Sequence, residues 1–120
     1  MWQVIDKYFE GFKTTFDPDI FAEEYHNHGP MKEEIKGSRN KQQFLREMED
    51  FSKSAPLEQT KGDQGITIVA KSYDAEKNLA IVFYQMHFKN NLTLDVVDVF
   101  SIKNQKIFEI TGVFDPRPFL

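Results

Sequence analysis

The residue with the clearest chemical potential is Asp98, which lies within a run of strand-forming residues. Residues 94–114 predict two β-strands joined by a tight polar turn at 103–106. Alternation places Asp98 on one face of the first strand in a row of four large apolar side chains, Leu94, Val96, Phe100 and Ile102. Burying a bare carboxylate there costs too much free energy, so the acid must be hydrogen-bonded, neutral or facing a cavity. We predict a pocket carboxyl with a raised pKa that moves a proton in enolisation-type chemistry; the alternative is a structural acid bonded to Tyr8 or to a backbone amide.

The preceding strand, residues 79–89, adds polar candidates to the same face. If residues 90–91 form a two-residue hairpin turn, Phe83 lies opposite Asp98, and Gln85 and His87 share its face. These two side chains would orient a carbonyl or hydroxyl group in an apolar cavity, although His87, near the strand end, has solvent exposure as its alternative.

A third candidate is the His-x-His pair of His26 and His28. Imidazole titrates near neutral pH, which makes His28 a candidate base at the pocket mouth. A metal would need a third ligand, such as His87, and the pair is too short a pattern to indicate one. The simpler alternative is a solvated histidine at the end of a helix. We predict no metal and no cofactor.

The turn at 103–106 is ambiguous by one residue, and a slip of one exchanges the two faces of the last strand. An even-length turn would place Ile107, Glu109, Thr111 and Val113 beside Asp98. We predict an odd-length turn, because it gives the more apolar inner face: Phe108, Ile110, Gly112 and Phe114.

Three helices are predicted ahead of the strands. Residues 2–15 carry apolar side chains at spacings of three and four. Asp17 and Pro18 start a short second helix over 18–25, and Ser38 caps a third over 39–52. Strands follow at 57–61, 66–73, 79–89 and within 94–114. This order predicts an α+β fold, with three helices packed on one face of a curved antiparallel sheet.

The second face of the predicted sheet is also apolar. An antiparallel sheet normally keeps one face in water, so we predict that another subunit covers this face in a homodimer. The predicted members of the face are Ala80, Val82, Tyr84, Met86, Val97, Val99 and Val113.

Composition limits the function classes. The 120 residues predict a single domain, and many of the 12 phenylalanines must lie in a core or line a cavity. The formal net charge is −4 with no basic stripe, which argues against nucleic-acid binding. The chain has no cysteine, which excludes disulfides and thiol catalysis. No signal peptide or membrane-length apolar run is visible, so we expect a cytoplasmic protein with no membrane partner.

Element order and three local patterns resemble the nuclear transport factor 2-like superfamily, especially its SnoaL-like and ketosteroid isomerase-like members. Residues 4–9 through 21–24 resemble the opening helices. His28-Gly29-Pro30, with Gly37 before the third helix, resembles the His-x-Pro and Gly signals of SnoaL-like proteins. Residues 97–100 and 106–107 resemble the patterns of the last two strands. The resemblance covers nearly the whole chain.

The resemblance implies a cone-shaped, cystatin-like α+β barrel with a deep apolar pocket between sheet and helices, usually dimeric. It implies a hydrogen-bond donor at Tyr8 and a protonated strand acid at Asp98, as in ketosteroid isomerases. Two positions depart from the family patterns. The general-base aspartate of the isomerases falls near Gly29, with only His28 close by, and Gly112 stands where SnoaL-like cyclases carry their acid.

We therefore predict a SnoaL-like pocket protein, a proton-transferring isomerase or cyclase for an apolar carbonyl compound, with Asp98, Tyr8 and His28 as catalytic residues. The alternatives are a non-catalytic ligand-binding or dimerisation module of the same fold, and a structural dimer with a filled cavity. The expected ligand-contacting residues are Phe12, Tyr25, Phe44, Met48, Phe83, Gln85, His87, Phe100, Ile110, Gly112 and Phe114.

Overall fold

Six strands form one curved, mixed sheet in the computed structural model, which describes residues 2–29, 39–54 and 56–117. The elements are helix α1 (Trp2–Gly11), a 3-10 turn (Pro18–Ile20), β1 (Phe21–His28), β2 (Arg39–Asn40), helix α2 (Lys41–Ser54), β3 (Ile66–Asp74), β4 (Leu79–His87), β5 (Thr93–Lys103) and β6 (Lys106–Val113). The strand order is β2-β1-β6-β5-β4-β3, and β1 runs parallel to β6 while the other neighbours are antiparallel. The predicted α+β class is confirmed. The sheet is open, because β2 and β3 are its edges, so the predicted barrel closure is wrong.

The predicted second helix is wrong, because residues 21–28 form strand β1. Asp17 does start a helical turn, and its side chain accepts a hydrogen bond from the backbone nitrogen of Asp19 at 2.9 Å. That turn ends after three residues, and the chain then pairs with β6, where Asn27 lies opposite Ile110. Pairing with a distant strand therefore overrides the local helix signal.

Helix α2 begins two residues later than predicted, and the predicted cap Ser38 lies outside the described residues. Asn40 caps the helix instead: its side-chain oxygen accepts a hydrogen bond from the backbone nitrogen of Gln43 at 2.9 Å. The side chain of Gln43 accepts one from the backbone nitrogen of Asn40 at 3.0 Å. This reciprocal arrangement is a capping box, and it fixes where α2 starts against β2.

Two other predicted elements are shorter in the structure. Helix α1 ends at Gly11 rather than at residue 15, and the ring of Phe16 folds back onto that glycine. A Cβ atom at Gly11 would lie 2.3 Å from the Cδ1 atom of Phe16, so the close approach requires glycine. The predicted strand 57–61 is reduced to a single bridge between Leu57 and Phe88.

The β4–β5 hairpin is shifted by one residue from the prediction. Its loop has three residues, 89–91, because the backbone nitrogen of Phe88 donates to the carbonyl of Leu92 at 2.8 Å and Asn91 adopts a φ of 67°. Val82 therefore lies opposite Asp98, and the predicted pairing of Phe83 with Asp98 is wrong. Because a one-residue slip exchanges faces, the side chains on the Asp98 face of β4 are Ala80, Val82, Tyr84 and Met86, and those on the other face are Leu79, Ile81, Phe83, Gln85 and His87.

The β5–β6 hairpin combines an even-length turn with a correcting bulge. Asn104 and Gln105 have φ values of 53° and 63° and join Lys103 to Lys106 in a two-residue turn, so the predicted odd-length turn is wrong. A register shift after Ser101 then restores the odd register. Asp98 lies opposite Gly112 and Phe100 opposite Ile110, as predicted for the inner face.

The helices cover the inner face of the sheet and build the core with its aromatic side chains. From α1, the ring of Phe9 lies 4.8 Å from that of Tyr84, and Tyr8 lies 5.2 Å from Phe100, measured between ring centroids. From α2, Phe44 packs 5.2 Å from Tyr25 of β1. In the described part of the chain, no helix has the length and hydropathy needed to cross a bilayer.

Candidate functional site

A cavity of about 360 Å³ separates the inner face of the sheet from the C-terminal half of α2. Ligand sites of small molecules commonly begin near this size. Strands β4, β5 and β6 provide one wall, formed by Tyr84, Met86, Leu94, Val96, Asp98, Ile110 and Gly112. The two helical segments provide the other, with Tyr8, Phe12, Phe44, Met48 and Phe51. The wall is therefore mostly apolar, with Asp98 as its buried acid.

Asp98 is only 4% exposed and is bound by one tyrosine of the neighbouring strand. The hydroxyl of Tyr84 donates a hydrogen bond to Oδ2 of Asp98 at 2.7 Å. Burial raises the pKa of Asp98 from 3.8 to about 7, and the hydrogen bond from Tyr84 acts in the opposite direction because it stabilises the charged form. Both protonation states are consequently populated near neutral pH, as proton-transfer chemistry requires.

Gly112 leaves room beside the second oxygen of this carboxyl group. It lies directly opposite Asp98 on β6, and a Cβ atom there would be 3.1 Å from Oδ1 and 3.8 Å from the carbonyl oxygen of His28. Both Asp98 and Gly112 line the cavity. Gly112, at the position where SnoaL-like cyclases carry their acid, therefore provides space for the carboxyl group of Asp98 on the neighbouring strand.

Tyr8, which the sequence predicted as a site residue, lines the cavity and carries a hydroxyl group, as Tyr84 does. Burial, and next the negative charge of Asp98, raise the pKa of both Tyr8 and Tyr84 well above the usual value, so both hydroxyls stay protonated. The structure records the hydrogen bond to Asp98 from Tyr84, not from Tyr8. The phenylalanine rings packed around Tyr8, which include Phe100 and Phe12, hold it at the cavity wall.

A buried arginine organises the polar rim of the cavity. The Nε atom of Arg39, in β2, lies 2.5 Å from Oε2 of Glu47. The two side chains form an ion pair, but the N–H group at Nε makes no aligned hydrogen bond. The Nη1 atom of Arg39 donates to the side-chain oxygen of Asn27 at 3.1 Å. The amide nitrogen of Asn27 in turn donates to the hydroxyl of Tyr25 at 2.9 Å. The chain of contacts ties β2, β1 and α2 together beside the cavity.

Solved structures of known proteins show the same architecture. An NTF2-like protein from Cytophaga hutchinsonii aligns over 97% of this chain and 90% of its own, with a TM-score of 0.67 and 17% identity. The chain has the nuclear transport factor 2-like fold. A protein with a cystatin-like fold from Methylobium petroleophilum aligns over 93% of this chain and 73% of its own, with a TM-score of 0.70 and 19% identity.

A candidate ketosteroid isomerase from Kribbella flavida shares the nuclear transport factor 2-like fold as well. It aligns over 94% of this chain and 76% of its own, with a TM-score of 0.69 and 16% identity. No protein-family model matches the sequence, and no curated protein matches it significantly. The likeness therefore supports the architecture, and the chemistry must be argued from the cavity itself.

Within this NTF2-like fold, the structure brings most of the predicted site together. The cavity-lining residues that the sequence predicted are Asp98, Tyr8, His28, Phe12, Phe44, Met48, Ile110, Gly112 and Phe114. Tyr25 and Phe100 are fully buried in the core and do not line the cavity.

His28 is placed differently from the prediction. It lies opposite Thr111 on the outer face, where its Nε2 atom is 3.1 Å from Oε2 of Glu109. Its carbonyl oxygen, rather than its ring, approaches Gly112, so we do not retain it as a base. Among the described residues, no three His, Cys, Asp or Glu side chains are grouped to hold a metal ion.

The three predicted ligand contacts of β4 also lie on the outer face. Phe83 does not line the cavity, and Gln85 donates a hydrogen bond to Oδ1 of Asp95 at 3.1 Å. The ring nitrogens of His87 lie 2.8 Å from the hydroxyl of Thr67 and 3.2 Å from that of Thr93. The one-residue register error in the β4–β5 hairpin accounts for all three.

Because of the same register error, Tyr84 and Met86 were not predicted as site residues, although the structure places them in the cavity wall. The sequence of the loop gave no signal for the correct register, because the positive φ of Asn91 suits a two-residue turn as well as a three-residue loop. Leu94 and Val96 were on the predicted Asp98 face but were not selected as ligand contacts. The rim residues Asn27 and Arg39 had no recognisable pattern.

Replacing Asp98 by asparagine should change how stability depends on pH. The pKa of about 7 in the folded protein exceeds the 3.8 of the unfolded chain, so the folded state binds more protons between these values. Wild-type stability should therefore fall as pH rises from about 4 to 7, by at most about 4 kcal/mol. Urea unfolding from pH 4 to 8 should show Asp98→Asn more stable than wild type at pH 8, with the difference shrinking towards pH 4.

The matched control is Asp95→Asn, an exposed acid on the same strand, which should follow the wild-type pH dependence. Parallel stability curves for wild type and Asp98→Asn would contradict a strongly desolvated carboxyl group.

Proposed function

We propose that this protein binds an apolar carbonyl compound in the Asp98 cavity and that Asp98 transfers a proton at the carbon next to the carbonyl group. One observation carries the proposal. A carboxyl group with a pKa of about 7 lies in the wall of a cavity of about 360 Å³ that is otherwise mostly apolar. Strongly perturbed acids in cavities are typical of functional sites.

The proposed step needs no oxidant, reductant or second substrate. Ionised Asp98 removes a proton from the α-carbon, and the electron pair of the broken C–H bond moves into a new C=C bond as the carbonyl oxygen gains negative charge. Tyr8 is the proposed donor to that oxygen, because its hydroxyl stays protonated at the cavity wall. Asp98 then returns the proton to the same carbon or, in a ligand whose C=C bond lies between the β- and γ-carbons, to the γ-carbon, which gives the conjugated isomer.

The remaining contacts have defined roles in this proposal. The hydroxyl of Tyr84 holds Oδ2 of Asp98, and Gly112 leaves space at Oδ1. The oxygen Oδ1 is therefore the proposed proton carrier. Met86, Leu94 and Val96 surround the acid with apolar surface, which keeps its pKa raised and selects an apolar ligand.

A non-catalytic binding module of the same fold is the second candidate. It is favoured by the outward position of the His28 ring, which bonds Glu109 on the other face. Among the described residues that line the cavity, Asp98 is the one deeply buried acid, since Glu47 is half-exposed and Asp50 is exposed. A protonated Asp98 and Tyr8 could hold a carbonyl oxygen by hydrogen bonds without any reaction.

Hydrogen exchange in a small enone separates the two candidates. With 3-methylcyclohex-2-enone in D₂O, the wild-type protein should accelerate loss of the α-proton signals in ¹H NMR. The exchange rate should rise with pH and be half-maximal near pH 7, because the ionised acid is the base. Asp98→Asn should lose the acceleration by roughly 100-fold or more while still binding the enone.

Asp95→Asn, the exposed acid of the same strand, should exchange the enone like wild type. Binding by wild type without exchange would reject proton transfer and leave the binding module. No binding of any apolar carbonyl compound would reject both.

We also propose that the outer face of the sheet forms a homodimer interface. This face contains exposed Ile81 and Val113 at 41% and 58% exposure, and the half-buried Phe83, Val97 and Val99. Its composition differs from the prediction, because Ala80, Val82, Tyr84 and Met86 point to the inner face and are buried. An apolar strip across three adjacent strands is typical of an association surface.

The dimer proposal is tested by mass in solution. Sedimentation equilibrium at micromolar concentration should give twice the chain mass of 14.1 kDa. Val113→Asp should give a monomer, because an unpaired charge would be buried between the subunits. The matched control is Ile68→Asp, which changes an exposed apolar residue opposite Tyr84 and should stay dimeric. A monomeric wild type contradicts the proposal.

A further inference from the structure

A second hollow, of about 600 Å³, lies next to the Asp98 cavity. It is bounded by the segment that follows α1, by the outer side of α2, and by the chain around Leu57. Three residues, Phe12, Met48 and Phe51, line this hollow and also line the Asp98 cavity. They form the partition between the two spaces.

The partition is less firmly packed than the core beside it. Phe12, Met48 and Phe51 are half-buried, whereas Phe44, on the same helix as the last two, is 4% exposed. Phe12 lies beyond the end of α1, in a turn in which its backbone nitrogen donates to the carbonyl of Phe9 at 3.2 Å. Met48 is unbranched and flexible, so it can move aside without disturbing a helix.

Helix α2 is anchored at its other end. Lys41 donates a hydrogen bond to the carbonyl oxygen of Phe21 at 3.2 Å, and Phe44 packs against the rings of β1. Met48 and Phe51, which lie further along the helix, line the cavity. Side-chain movement there would join the two spaces while the helix stays in place.

The second hollow offers apolar contacts to an alkyl chain on part of its wall, at Phe16, Leu45 and Leu57. The rest of its lining is largely polar and includes Lys13, Thr14, Thr15, Glu49, Gln59 and Lys89. We infer that Met48, with Phe12 and Phe51, gates a passage between the two spaces, and that the ligand is elongated, with a carbonyl-bearing head at Asp98 and an unbranched alkyl chain in the second hollow. This inference rests on the proposed function of the Asp98 cavity and makes Met48 the residue that sets chain-length specificity.

A homologous ligand series tests the inference. The dissociation constants of 3-alkylcyclohex-2-enones, from methyl to octyl, are measured by isothermal titration calorimetry. Affinity for wild type should rise roughly fourfold with each methylene that becomes buried, up to the octyl compound. A series that stops gaining affinity at ethyl or propyl would overturn the inference.

Variants at position 48 locate the passage. Met48→Trp should lose most of the gain in affinity from the methyl to the octyl compound, because the larger ring fills the partition. Met48→Ala should bind the octyl compound more tightly. The matched control is Gln42→Trp on the exposed side of α2, which should leave the whole series unchanged. Equal losses for methyl and octyl compounds in Met48→Trp would overturn the inference.

Methyl NMR of the wild-type protein gives a readout that needs no variant. Leu94 lines only the Asp98 cavity, and Leu45 lines only the second hollow. The methyl compound should shift the methyl signals of Leu94 alone, and the octyl compound should shift both. Binding of the octyl compound without a shift at Leu45 rejects the inference but leaves the proposed function standing. Failure of every compound to bind rejects both together.

Discussion

Strand β5 buries a carboxyl group on the inner face of an open sheet, and the surrounding elements keep water from it. The hydroxyl of Tyr84 offsets part of the cost of burial through its hydrogen bond to Asp98, and Gly112 leaves the second oxygen unobstructed. The aromatic side chains of α1 and α2 form the opposite wall of the cavity. The proposed proton transfer depends on this desolvation, because a hydrated Asp98 would have an ordinary pKa and would be fully ionised near neutral pH.

The likeness to NTF2-like structures shows the fold but not the chemistry of the cavity. The aligned proteins named above are at most 19% identical to this chain, and one fold can carry many functions. Asp98, Tyr84 and Gly112 lie on three adjacent strands and line the same cavity. At the two positions that depart from the family patterns, the ring of His28 bonds Glu109 on the outer face, and Gly112 leaves space beside the carboxyl group of Asp98.

Periodicity and element order were enough to predict the α+β class, the inner face of β5 and the apolar faces that carry Phe12 and Met48, whereas Tyr8 as a cavity residue followed from the family resemblance. Periodicity could not determine the β4–β5 register, because an asparagine with positive φ at position 91 suits both a two-residue turn at 90–91 and a three-residue loop at 89–91. Periodicity also could not reveal the bulge after Ser101. This bulge shifts the β5–β6 register by one residue and so brings Gly112 opposite Asp98 in spite of the even-length turn. Strand β1 was missed for a different reason. Its local helix signals are real, but its pairing is with residues more than 80 positions away, such as Glu109 opposite His26.

The most direct test of the account is an NMR titration of the side-chain carboxyl carbon of Asp98 in the ¹³C-labelled protein. We expect a midpoint near pH 7 in wild type, and a higher midpoint in Tyr84→Phe, because that change removes a hydrogen bond that favours the charged form. Tyr73→Phe, far from the acid and hydrogen-bonded to Asn78, should leave the midpoint unchanged. A wild-type midpoint near 3.8, the ordinary value for aspartate, would contradict the account.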